Sequence, residues 1–211
     1  PVISWSSIDY FGRWKGLHYY AKRFYAPCLI SCDDTHRKKP VLNISNERMT
    51  AFEGIVRWKL RNNKAEILQS GEKSVSVPAL TAQNVLTIDL SDELKNRTDP
   101  REKYLEYSIM ENGKELSFGT TLFVRPKEFT FLEPAITYGI SESEDKFALT
   151  FCAENYAKSV CLSLKTADCV FSDNWFDIHG KEPVTIMIDK ASLSRKMTAQ
   201  ELSEELEIMH N

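Results

Sequence analysis

The chain has 211 residues, of which 42% are hydrophobic and 27% charged, with a net charge of −3. That balance suits a globular protein of one large or two ordinary domains and excludes disordered and fibrous classes. No basic footprint for nucleic acid is present and no apolar run reaches membrane-spanning length, so neither nucleic acid nor a membrane is expected as a partner.

The most aromatic stretch comes first. Residues 1–12 mix Ser, Trp, Asp and Gly without a period and read as a loop. From Arg13 onward, Trp14, Leu17, Tyr20, Ala21, Phe24 and Tyr25 keep the spacing of one helical stripe, with Lys15, Lys22 and Arg23 off it. Pro27 ends this helix, because the residue before a proline avoids the α region. Ser7 and Asp9 are candidate caps. A helix with so apolar a face needs a partner surface, expected to be the first β module or another copy of the chain. A start on Pro1, without Met or a leader, suggests an excised fragment.

From Cys28 the pattern changes to short strands, over 28–31, 41–45, 52–61, 67–77, 85–90, 103–110 and 115–124. Alternation is clearest at Val56, Trp58 and Leu60, which face one way while Arg57 and Lys59 face the other. Asn112 and Gly113, between two strand-like runs, predict a tight hairpin turn. This density of strands reads as an immunoglobulin-like sandwich. A second, smaller sandwich follows, with strands over 135–141, 146–153, 159–166, 169–172 and 184–188. Thr198 and Glu201 form a capping box that opens a short helix, and 206–209 closes the sheet. The fold class is therefore mainly β: two immunoglobulin-like sandwiches preceded by one helix, divided as 1–26, 27–127 and 128–211.

Five Cys and four His are scattered, with no CxxC pair. Cys28 and Cys32, about 13 Å apart along one strand, are too distant to bridge each other. Cys152 and Cys161 are expected to face outward. Free thiols in a reducing compartment, the cytoplasm, are the reading, with a periplasmic or secreted location as the alternative; no metal and no cofactor is expected. The glycosylation pattern at Asn43 and Asn96 arises by chance and implies nothing without a secretory signal.

Ser4-Trp5-Ser6-Ser7-Ile8-Asp9-Tyr10, followed by Arg13-Trp14-Lys15, Leu17-His18-Tyr19 and Ala21-Lys22-Arg23-Phe24, resembles the β-mannosidases of glycoside hydrolase family 2. Val170-Phe171-Ser172-Asp173-Asn174-Trp175-Phe176-Asp177 resembles the C-terminal immunoglobulin-like domain of the same family. The resemblance covers the whole chain. It implies that residues 1–26 are the loop and last helix of a catalytic (β/α)8 barrel lying upstream, and that the two sandwiches support that barrel. It also implies that the parent removes terminal β-linked mannose with retention of configuration.

Such a glycosidase needs two carboxylates about 5 Å apart, and in this family the acid/base is a Glu after an Asn. The chain has one Asn-Glu, Asn46-Glu47, but in a sandwich loop, where it is a decoy. No catalytic residue is assigned, and the chain by itself is expected to be inert. Trp5, on the loop after the last barrel strand, either stacks on a pyranose ring in the intact enzyme or packs the barrel mouth. Asp9 and Arg13 could cap the helix and pair across it, and His18 reads as a packed, hydrogen-bonded side chain. Residues 171–177 read as a structural corner, with Phe171 and Phe176 inside and Trp175 the most exposed. The expected partners are the upstream barrel, mannosides through the intact enzyme, and a further copy of the chain. The alternatives are a carbohydrate-binding pair with Trp58 or Trp175 as platform, or an adhesion-type immunoglobulin tandem.

Overall fold

The computed structural model describes residues 6–210. They divide into two compact units, residues 23–130 and residues 6–22 together with 131–210. Helix α1 (Gly16–Phe24) is shorter than its apolar spacing predicts. Gly12, at φ +82°, lets the preceding segment fold back, so that Ile8 bridges Trp14. The Asp9 carboxylate accepts the N–H groups of Phe11 and Arg13 at 2.8 and 2.9 Å. Asp9 thus closes its own turn instead of capping α1, and that turn delays the helix start.

The unit over 23–130 holds β1 (Cys28–Asp33), β2 (Val41–Asn46), β3 (Phe52–Asn62), β4 (Ile67–Val77), β5 (Thr81–Thr87), a short α2 (Asp99–Glu102), β6 (Lys103–Glu111) and β7 (Lys114–Leu122). They form antiparallel sheets of order β1-β2-β5 and β4-β3-β6-β7. Phe52, Val56 and Leu60 from β3, Leu105 and Ile109 from β6, and Leu42 and Ile44 from β2 fill the space between them. Period-2 alternation puts these residues on one face and charges on the other. β5 starts earlier than its apolar run suggests, because its polar, exposed first half pairs with β2 through the main-chain ladder and through Asn43, whose side-chain amide donates to Asn84 Oδ1 at 3.0 Å.

One row crosses all four strands of the larger sheet: Gly71, Trp58, Tyr107 and Gly119 stand opposite one another in register. A Cβ on Gly71 would lie 2.8 Å from the Trp58 ring nitrogen, and one on Gly119 would lie 2.7 Å from the Tyr107 ring. Two large rings fit side by side because a glycine flanks each. The β6–β7 turn has Asn112 and Gly113 at φ +51° and +76°, the two positive values that a type I′ turn requires. Asn46 is buried, and its amide donates to the carbonyls of Thr50 and Pro78 at 2.9 and 3.0 Å. The Asn-Glu dipeptide is thereby a loop fastener, with Glu47 exposed.

The other unit holds β8 (Thr137–Glu142), β9 (Lys146–Cys152), β10 (Tyr156–Leu164), β11 (Phe176–His179), β12 (Val184–Asp189), α3 (Ala199–Glu205) and β13 (Leu206–Met209). Its sheets run β12-β9-β8 and β11-β10-β13. Phe147, Leu149 and Phe151 of β9 meet Val160 and Leu162 of β10 and Phe176 and Ile178 of β11 in the core. Thr198 accepts from the Glu201 N–H, and the Glu201 carboxylate accepts from the Thr198 N–H, which completes the capping box. Residues 169–172 form no strand beyond a bridge from Phe171 to Ile188. The strand is β11 instead, masked in the sequence by its polar Asp177. Cys152 is half-buried on the β9 face opposite Phe147, Leu149 and Phe151, as its alternation predicts, whereas Cys161 is buried, against the outward placement expected. β10 carries a bulge between Ala157 and Val160, and past it Val160, Cys161 and Leu162 are buried in succession, so the Cys161 face of the strand is covered as well.

Candidate functional site

A polar constellation lies where α1 meets the 171–177 corner, the two stretches that carry the family resemblance. Tyr19 is the anchor. It is 2% exposed and belongs to the same core cluster as Phe171, Phe176 and Leu202. Burial pushes its phenol up to about 12, while hydrogen bonds involving the Phe171 backbone and the Asn174 side chain pull the other way. One turn earlier, Gly16 leaves room for the Trp175 indole: a Cβ there would sit 2.9 Å from its ring nitrogen. The Tyr20 hydroxyl lies 3.2 Å from Ser159 Oγ, and Lys22 Nζ donates to the Ser172 carbonyl at 3.0 Å. Arg13 pairs with Asp168 at 2.7 Å, not with Asp9. The helix expected on the first module, or on another copy, therefore seats on the second sandwich.

Side chains that mimic backbone shape this corner. Asn174 Oδ1 accepts the Leu162 N–H at 2.8 Å and its Nδ2 donates to the Leu162 carbonyl at 2.9 Å, as a neighbouring strand would. The same Oδ1 accepts the Trp175 N–H. Asp177 fills the β10 bulge, accepting the Ser159 N–H and the Tyr156 hydroxyl, both at 2.8 Å, and pairing with Lys158 at 3.3 Å. Burial pushes the Asp177 carboxyl up, but Lys158, His179, Ser159 and Tyr156 together hold it below the usual carboxylate value. Trp175 and Ser159 stand at φ +58° and +54°, left-handed conformations that cost non-glycine residues about 1–3 kcal/mol each.

Trp5 lies outside the described residues. His18 is half-buried, with Nδ1 3.0 Å from Ser7 Oγ and its ring 4.2 Å from that of Trp14. This is the packed role expected of it; the Ser7 partner has no signal in the sequence. Trp175 is half-buried with its ring on Gly16, where exposure was expected. Trp58 points inward as its alternation predicts, so each candidate platform ring has a face already against glycine. Burial pushes the Cys32 thiol to about 11 and that of Cys169 to about 12, which keeps both unreactive at neutral pH. Among the described residues no three His, Cys, Asp or Glu side chains gather as metal ligands, and no helix is long and apolar enough to cross a membrane.

The family model described as a Mannosidase Ig/CBM-like domain matches residues 39–128, and that described as an Ig-fold domain matches 131–211. The β-mannosidase of Mus musculus is 28% identical over 178 residues, covering 82% of this chain and 20% of its own. That of Capra hircus is 65% identical over 26 residues, 12% of this chain and 3% of its own. The crystal structure of a β-D-mannosidase from Dictyoglomus thermophilum superposes with a TM-score of 0.80 at 19% identity, over 100% of this chain and 24% of that one, which shows a shared fold. The chain thus spans about a fifth of the length of the mouse relative.

Proposed function

Because the chain belongs to the C-terminal immunoglobulin-like region of the glycoside hydrolase family 2 β-mannosidases, we propose that it is the non-catalytic support of a retaining exo-β-mannosidase. The observation that carries this reading is the outer face of α1. Leu17 is 52% exposed and Phe24 46%, with Tyr20 between them at helical spacing, while Tyr19 on the opposite side is sealed. Tyr10 and Phe11 add exposed rings at the preceding turn. A stripe of this kind is built to be covered, and the cover we assign is an upstream (β/α)8 barrel whose last helix α1 is. Both catalytic carboxylates then belong to that barrel, and Trp5 lies at its mouth, where an indole face can stack on the sugar. Five free thiols favour a reducing compartment for the parent.

In the parent enzyme, Leu17→Glu and Phe24→Glu should lower both the melting temperature and β-mannoside hydrolysis, yet leave the isolated chain's melting temperature unchanged. Full activity in those variants would remove the support role. Micromolar binding of manno-oligosaccharides to the isolated chain, read by calorimetry, would instead favour the carbohydrate-binding pair.

A further inference from the structure

We propose that the Ser172–Asp177 corner is a preset receptor for α1, in which Asn174 and Asp177 hold Trp175 and Ser159 in left-handed backbone so that both meet the helix. Three observations converge on it. Among the described residues of 131–210, the non-glycine residues with positive φ are Ala135, Ser159 and Trp175, and the latter two contact α1. Each is fixed by a side chain that replaces a missing ladder partner: Asp177 at the bulge and Asn174 beside Leu162. The helix is matched to them, because Gly16 and Tyr20 lie four apart on one face with the buried Tyr19 beside them.

A bulge re-aims the side chain it carries. Here it turns the Ser159 hydroxyl toward Tyr20, and without the Asp177 carboxylate the Ser159 N–H has no acceptor within the ladder. Strained residues persist only where their surroundings over-determine them. Two of them meeting the same nine-residue helix marks helix recognition as what the strain serves. The receptor grips one face of α1 and leaves Leu17 and Phe24 free for another surface. This does not depend on the mannosidase reading.

Hydrogen exchange on the full chain tests it. Gly16→Val changes the helix and sets its Cβ against the Trp175 indole; Asp177→Ala leaves the helix sequence unchanged and releases Ser159. Each should accelerate exchange of the Tyr20–Lys22 amides tenfold or more while the β9 amides of Phe147, Leu149 and Phe151 keep their protection. Unchanged helix amides in Gly16→Val, or equal acceleration of α1 and β9 in both variants, would overturn the receptor and make α1 an inseparable part of the core. Should Asp177→Ala fail to fold, Ser159→Ala, which removes only the hydroxyl, is expected to give a smaller rise confined to α1. No rise in either that variant or Gly16→Val would count against the proposal.

Discussion

Each unit rests an indole on a glycine, and the two cases differ in how the partners find each other. Trp58 lies over Gly71, its neighbour across one hairpin, and the strand register alone brings them together. Trp175 lies over Gly16, and neither a hairpin nor a shared sheet connects the two. The first contact is a by-product of sheet alternation. The second needs a corner shaped for it, with a tryptophan in left-handed backbone and two polar side chains holding the frame. Local pairing tolerates simple chemistry, whereas a distant partner has to be met by a preformed surface.

The comparison is broken most severely at Asn174. Asn174→Ala leaves the Leu162 N–H and carbonyl and the Trp175 N–H without their present partner, so it should cost about 3 kcal/mol in urea unfolding of the second sandwich. Its counterpart in the first unit, Ser117→Ala, removes a single acceptor from the Ile30 N–H and should cost about 1 kcal/mol. Next comes Gly71→Val, which forces a Cβ against the Trp58 ring. About 1–3 kcal/mol is expected from overpacking, read as a lower melting temperature for the first unit alone. Thr198→Ala should cost about 1 kcal/mol through the lost α3 cap.

The smallest effect at neutral pH concerns the charge of Asp177, whose folded carboxyl titrates below its unfolded value of about 3.9. A group shifted in that direction adds stability that is complete above the unfolded value and is lost as pH falls through the folded one. The stability difference between the native chain and Asp177→Asn should therefore stay constant from pH 7 to 5 and shrink below about pH 4. A constant difference down to pH 3 would mean that the carboxylate is held by shape and not by charge.

Much of this fold is legible in the residues themselves. Alternation at Val56, Trp58 and Leu60, the Asn112 and Gly113 turn and the Thr198 capping box are local signals, and all three stand in the structure. The bulge at Ser159 is not legible, because an extra residue in a strand leaves no periodic mark, and neither is the burial of Cys161, which lies on the opposite face of β10 from Val160 and Leu162. β11 is hidden for a related reason: its Asp177 is polar where a ladder partner is missing. The α1 seat is not legible, because apolar spacing says that a helix must be covered but not by what. The packed state of His18 is legible, since a lone imidazole beside an apolar stripe has few other fates.

The seat of α1 also sets a timetable. The contacts of α1 and of Arg13 just before it reach Ser159, Ser172 and Asp168 across 139, 150 and 155 residues of chain. On a ribosome adding about 5–20 residues per second, the helix exists for about 10–30 s before the surface that seals Tyr19 has been made. Through that interval the Tyr19 face of α1 is bare, so the nascent chain exposes it while the first sandwich is complete and the second is not. Slowing translation between residues 130 and 177 should lengthen that exposure and raise the fraction of chain lost to aggregation.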